Sequence, residues 1–484
     1  MSDEPAAAAP DTEATRPPTD PAPRPAAPAV GPVTASERIR ALDTLRGVAV
    51  LGILLLNIFG FGLPASFQAV TNPSVTGGDL SPPNLLAWFA TYVLFDGRFR
   101  AIFSMLFGAG ALLLLERADR RGAGIRAADI YYRRTLWLLL FGVLHAYLVW
   151  WGDVLYWFGV FGLALFPLRN QSPGFLLTAG LILLHSYIPI HVIDHIELLA
   201  TRDKGEAAVA AARAARRPPT EQERADWWAW EQKKRELNPP APDLAKEVEA
   251  QRAGWWPVFL RRAGMASYMQ STSIYRYGLS DILSMMLIGM GLMKLGVFTG
   301  ELSAKSYRWL VLLGYGVGLP LSYGVALEMI QADFDVLEVG LLHHCTFPIA
   351  RLAVALGHVG VVMLLCRATW LWWVSGALAA VGRMALTNYL TQSVLCTAYF
   401  DGWGLGRFGT LDRSQLLYVV VAVWAFQLVI SPIWLAFFRF GPVEWVWRAL
   451  TYWQWPPMLA RNEPAGTPVV DSLATEPAPG ESPG

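Results

Sequence analysis

Apolar runs of sixteen to thirty residues, separated by short polar breaks, recur from about residue 42 to residue 437. A helix needs about 20 residues to cross a bilayer. The runs therefore predict spans at 42–60, 99–115, 135–151, 153–168, 175–193, 279–297, 307–326, 347–366, 371–400 and 415–437. The fold class is all-α: a polytopic integral membrane helical bundle of about ten transmembrane helices. The segment LLAWFATYVLF at 85–95 is too short to cross alone and is read as interfacial or re-entrant. The run 371–400 is interrupted by Arg383 and reads either as one long span or as a broken helix or re-entrant pair.

Outside these runs the pattern changes. Residues 1–36 and 457–484 are rich in Ala, Pro and acidic side chains with few large apolar ones, the composition of disordered tails. The first apolar run starts about forty residues in and lacks a processing site, so it reads as a first span rather than a signal peptide. Residues 194–278 form the one long polar insertion. Its Ala, Glu, Lys and Arg favour helix, and its two Pro pairs divide it into short amphipathic pieces, either a solvated cap or a cover over the mouth of a cavity.

The chain is 54% hydrophobic and 16% charged, against roughly 25% charged in soluble domains. Its net charge of +1 supplies no field for nucleic acid. The 21 Trp suit membrane interfaces, and lipids are the expected surroundings. Residues 117–134 carry six Arg against two Asp, which places that loop, and with it both termini, on the cytoplasmic side and 194–278 outside. Three Cys and seven His show no metal-ligand spacing; His343 and His344 are adjacent and point in different directions on a helix.

Ionisable and amide groups within the apolar runs are the candidate chemistry, because each is costly in hydrocarbon. Asp43, Arg46 and Asn57 share one face of the first span at 100° per residue. Arg46 is suited to a phosphate or carboxylate, oriented by Asp43, or the two simply pair. His145 and Asp153 flank VWWG eight residues apart. Helix phase alone separates them by about 80°, so contact requires a turn at Gly152. Arg383, Asn388, Tyr389 and Gln392 form a polar stretch in the broken run and are further binding candidates. Glu444 and Arg448 have the i,i+4 order of a helix pair that locks the last helix onto the bundle.

RALDTLRGVAVLGILLLNIFG at 40–60, HAYLVWWGDVLYWFGVFG at 145–162 and the long stretch GRMALTNYLTQS through YWQWP at 382–456 resemble the YeiB family of bacterial inner-membrane proteins, also described as domain of unknown function 418. That family is in turn similar to the transmembrane acyltransferase superfamily. The resemblance implies an inner-membrane location, an acyltransferase-like fold and a homodimer. It also implies an acyl group passed from a cytosolic acyl thioester, with acyl-CoA as co-substrate, to an external glycan or lipid; no other cofactor is expected. The sugar-modifying enzymes of the superfamily have a His about three turns after a basic residue of the first helix. Asn57 stands there in this chain, and an amide takes no proton at neutral pH. Acyl transfer would then use His145 as base, Asp153 to orient it or hold the acceptor, Arg46 to grip the donor and Asn57 to align the thioester. The competing readings are a transporter or flippase for an anionic lipid or solute, and a noncatalytic membrane scaffold.

Overall fold

The structure, a computed structural model, describes residues 39–64 and 80–460. The expected disordered tails at 1–36 and 457–484 lie outside the described residues except for 457–460, which are ordered against the end of the last long helix where Leu459 bridges Phe438. The N-terminal half comprises α1 (Arg40–Gly62), α2 (Pro82–Leu94), α3 (Arg98–Arg120), α4 (Ile125–Leu148), α5 (Leu155–Gly162), the short α6 (Leu165–Leu168), α7 (Pro173–His185) and α8 (Tyr187–Ala214). Next come α9 (Glu221–Leu237), α10 (Ala241–Arg252) and α11 (Trp255–Tyr268), then α12 (Ile274–Gly278) and α13 (Ser284–Lys294), each preceded by a π-helical turn. The C-terminal half is α14 (Ala304–Gln331), α15 (Val336–Arg367), α16 (Trp372–Arg383), α17 (Ala385–Phe400), α18 (Arg413–Phe437) and α19 (Pro442–Tyr452). Among the described residues the protein is all-α; Phe438 and Leu459 make an isolated antiparallel bridge that folds residues 457–460 back onto the end of α18.

Among the described residues six helical stretches are long and apolar enough to cross a membrane: Arg40–Gly62, Pro82–Arg120, Pro173–Ala214, Ala304–Gln331, Val336–Arg367 and Arg413–Phe437. They coincide with six of the ten expected spans. The other four are built differently. The run 135–151 lies in α4, a continuous helix whose first turns carry Arg126, Asp129, Arg133 and Arg134. The run 153–168 is two short helices, and 279–297 is a π-helical turn followed by α13. The run 371–400 is broken at Met384 between α16 and α17. Glu444 of α19 explains that break: its Oε1 accepts from Leu386 N at 2.7 Å and Thr387 N at 3.0 Å, satisfying donors a helix start leaves open.

α1 sits at the centre, buried on nearly all sides as an all-round apolar helix should be, and packs against α3, α15, α16, α17 and α18. Over 194–278, α9 folds back on α8 and the chain turns at both Pro pairs, 218–219 and 239–240. Thr220 and Glu223 form a capping box on α9, and the Arg217 guanidinium, followed by the Thr220 backbone, pulls the Glu223 carboxyl down to about 2. The segment is anchored by Arg262, which pairs with buried Asp401 at 2.9 Å and donates to Leu148 O at 2.6 Å, while Gln251 donates to the other Asp401 oxygen. Burial is the largest influence on Asp401 and holds its carboxyl above the usual range.

Candidate functional site

A tight turn at 149–154 brings α5 back against α4. Gly142 permits the approach: a Cβ there would lie 2.1 Å from Tyr156 N and 2.8 Å from Asp153 Oδ2. The turn closes the 80° gap that helix phase leaves. His145 Nδ1 and Asp153 Oδ1 are 2.8 Å apart with both side chains 1% exposed, and Asp153 Oδ2 accepts from Tyr156 N at 2.7 Å. Asp153 is thus held from both sides, and holds the ring in turn. His145 Nε2 is buried and has no hydrogen-bond partner among the described residues. Tyr389 of α17 lies against the imidazole, ring centroids 5.2 Å apart, and its hydroxyl accepts from Val154 N.

Tyr389 also lines a cavity of about 260 Å³ that opens where α1 begins, α3 ends and α4 begins. Arginines dominate its mouth: Arg46, Arg117, Arg134, Arg383, Arg439 and Arg448, against the acids Asp43 and Glu444. Arg46 pairs with Asp43 at 3.1 Å, and Arg134 stacks 3.6 Å over the Trp447 ring, whose indole donates to Arg134 O. Deeper, Phe103, Leu106, Leu138, Leu155 and Phe158 make the wall apolar. From Arg117 to Phe103 the cavity follows α3 for about 21 Å, most of a hydrocarbon core. The cavity is thus basic at its mouth and apolar toward Tyr389.

The structure therefore gathers Asp43, Arg46 and Arg383 at the cavity and joins His145 to Asp153 beside it. Asn57 is half-buried in α1, eleven residues beyond Arg46, and does not line the cavity. Neither do Asn388 and Gln392. Their amides connect α17 to its neighbours: Asn388 donates to Val381 O and Ser431 Oγ, Gln392 to Val50 O and Gln427 Oε1. The residues sequence reasoning used only for topology, Arg117 and Arg134, turn out to line the cavity. Helix phase held a signal for the second, since Arg134 and His145 are eleven residues apart and so within about 20° on α4. Glu444 does lock α19 onto the bundle, through bonds to α17. No group of three or more His, Cys, Asp and Glu among the described residues is arranged to hold a metal.

Residues 292–454 match a family model described as a protein of unknown function, DUF418. YeiB of Escherichia coli (strain K12) is 32% identical over 422 residues, covering 86% of this chain and 96% of that protein. YxaH of Bacillus subtilis (strain 168) is 30% identical over 444 residues, covering 89% of this chain and 98% of its own length. No solved structure matches the chain. With an all-helical apolar bundle and similarity along nearly the whole of both relatives, the chain belongs to the YeiB family of membrane proteins.

Proposed function

We propose that this protein is a membrane acyltransferase. It draws a phosphorylated acyl thioester such as acyl-CoA from the cytoplasm into the arginine-lined cavity and transfers the acyl group to a hydroxyl or amine of a glycan or lipid. The observation that carries the reading is the buried His145–Asp153 pair with an unengaged Nε2. With the Nδ1 proton donated to Asp153, the Nε2 lone pair is free to act as base.

The arginines take the donor's phosphates, Arg46 being oriented by Asp43. The thioester arm runs along the apolar wall toward Tyr389, which lines the cavity and lies against the His145 ring, His145 itself standing behind that lining. His145 Nε2 removes the acceptor proton as the acceptor oxygen or nitrogen attacks the thioester carbon. A new C–O or C–N bond forms, the C–S bond breaks, and the thiolate leaves with the proton returned from the imidazolium. Asp153 keeps the ring in one tautomer and stabilises its charge during the exchange.

The test is turnover of radiolabelled acyl-CoA by the full chain in lipid discs, against panels of glycan and lipid acceptors. His145→Ala is expected to lose about a hundredfold or more of the rate, the scale of a general base, while acyl-CoA binding stays within about twofold. Arg134→Gln is expected to do the opposite, weakening acyl-CoA binding. Full turnover by folded His145→Ala overturns the assignment. Transport of an anionic lipid is the second reading, favoured by the same arginine mouth, and it predicts lipid translocation that His145→Ala leaves intact.

A further inference from the structure

About 25 Å along α3 from Arg117, at the other end of the helix from the cavity mouth, lies a second polar cluster, none of whose residues line that cavity. Its centre is Asp281, between two arginines. Arg100 Nε lies 3.0 Å from Asp281 Oδ2; Arg351 pairs with the other carboxylate oxygen and donates to Asp281 O at 2.9 Å. Arg98 stands beside them, donating to Asp96 O and Ser322 Oγ. Arg98 and Arg351 are 1% exposed, and the Nε of each is buried with no hydrogen-bond partner among the described residues.

Arg100 differs from both. Its side chain is 44% exposed although Phe99 and Ala101 beside it are buried. Its guanidinium is engaged by Asp281 through Nε, and among the described residues neither Nη1 nor Nη2 makes a hydrogen bond. An aromatic group adjoins the buried arginines through Phe347, which lies by Arg98 and Arg351 and against Tyr187: His191 stacks on His344 with centroids 4.7 Å apart and on Tyr277 at 5.1 Å, Tyr187 lies tilted against it at 3.9 Å, and the Tyr92 hydroxyl bonds His343 Nδ1.

Three backbone irregularities meet at this cluster. Asp281 lies in the π-helical turn Leu279–Leu283. Pro348 in α15 removes the helical bond that His344 O would accept. Gly97, at φ +70°, separates α2 from α3, and a Cβ there would meet Arg351 Cδ at 3.1 Å. Irregular backbone at membrane depth is tolerated where it is buried in protein or lines a polar cavity, and π-turns concentrate at functional sites. Each irregularity carries or abuts a member of one charged group.

We infer that this cluster is a second anion site, taking the phosphate or carboxylate of a small anion or a lipid headgroup on the fork of Arg100, which Asp281 aims. Two guanidiniums, Arg100 and Arg351, share the one carboxylate of Asp281, with Arg98 beside them. An added anion completes the balance that a low-dielectric setting demands. The planar fork supplies two parallel donors to it. The site involves none of the acyl-transfer residues and stands or falls separately from that reading.

The test compares the full chain with Arg100→Gln and with Arg46→Gln as a marker of the other cavity. One arm titrates inorganic phosphate into protein in phosphatidylcholine discs. The other counts phosphatidylglycerol retained by native mass spectrometry from discs of mixed phosphatidylcholine and phosphatidylglycerol. Arg100→Gln is expected to weaken one binding event at least tenfold that Arg46→Gln leaves unchanged. A loss in the phosphate arm identifies a free anion; a loss in the lipid arm alone identifies a headgroup. Arg100→Lys keeps the charge opposite Asp281 and removes the fork, so that a misfolded Gln variant does not decide the matter, and it is expected to weaken the same event. Unchanged phosphate affinity and lipid retention in a folded Arg100 variant overturn the inference.

Discussion

At the scale of single residues, Asp153 shows how bonding decides chemistry. Its two oxygens accept from different donors, His145 Nδ1 and Tyr156 N. An Asn at that position has one acceptor for two donors. Either its NH₂ opposes Tyr156 N–H, or it donates to Nδ1 and moves the ring proton to Nε2, where it disables the base. Asp153→Asn is thus expected to lower turnover by about a hundredfold or more. A shift of the His145 nitrogen signals in ¹⁵N NMR would report the tautomer change; unchanged signals together with unchanged turnover would refute it. Much of the site is legible at this scale because its pairs are local: Asp43 and Arg46 are three residues apart, His145 and Asp153 eight. Asn388 and Gln392 look like the same kind of candidate. Yet their partners, Ser431 and Gln427, lie 43 and 35 residues away on another helix, and no local spacing shows that the amides are already engaged.

At the scale of elements, hydropathy identifies helices whose surroundings are lipid or core, and six are found where it places them. It is less informative for helices defined by tertiary bonds. The break at Met384 is an example, since Arg383 marks an interruption but the N-terminus of α17 is stabilised by Glu444 from a helix nearly sixty residues later. Glu444 is 8% exposed, and its carboxylate accepts from two backbone N–H groups and the Thr387 hydroxyl. Glu444→Gln keeps one oxygen for the two N–H groups, without the carboxylate charge, and puts an NH₂ where the Thr387 hydroxyl had its acceptor. A cost of about 1–3 kcal/mol is expected, read as a lower unfolding temperature in detergent, with amide exchange rising first at Leu386 and Thr387. Loss confined to α19 with α17 fully protected would show that the break is held by something else. Because the same helix start carries Tyr389 into the cavity, a loosened α17 should also weaken acyl-CoA binding.

For the whole molecule, charge asymmetry and the proposed function require one and the same orientation. Two of the arginines behind the positive-inside reading, Arg117 and Arg134, line the cavity mouth together with Arg46, Arg383, Arg439 and Arg448. A cytosolic thioester therefore meets its site only if that end faces the cytoplasm, while α8 to α11, anchored through Arg262 and Asp401, cover the opposite side. Single cysteines test this in a chain carrying Cys345→Ala, Cys366→Ala and Cys396→Ala. Ile125→Cys is at the arginine end, where Ile125 is 89% exposed, and Ala214→Cys is at the exposed end of α8. In intact cells an impermeant maleimide is expected to label Ala214→Cys at once and Ile125→Cys only after permeabilisation. The reverse pattern would set the arginine mouth on the outer face, out of reach of any cytosolic acyl thioester, and acyl transfer from such a donor would fall with it.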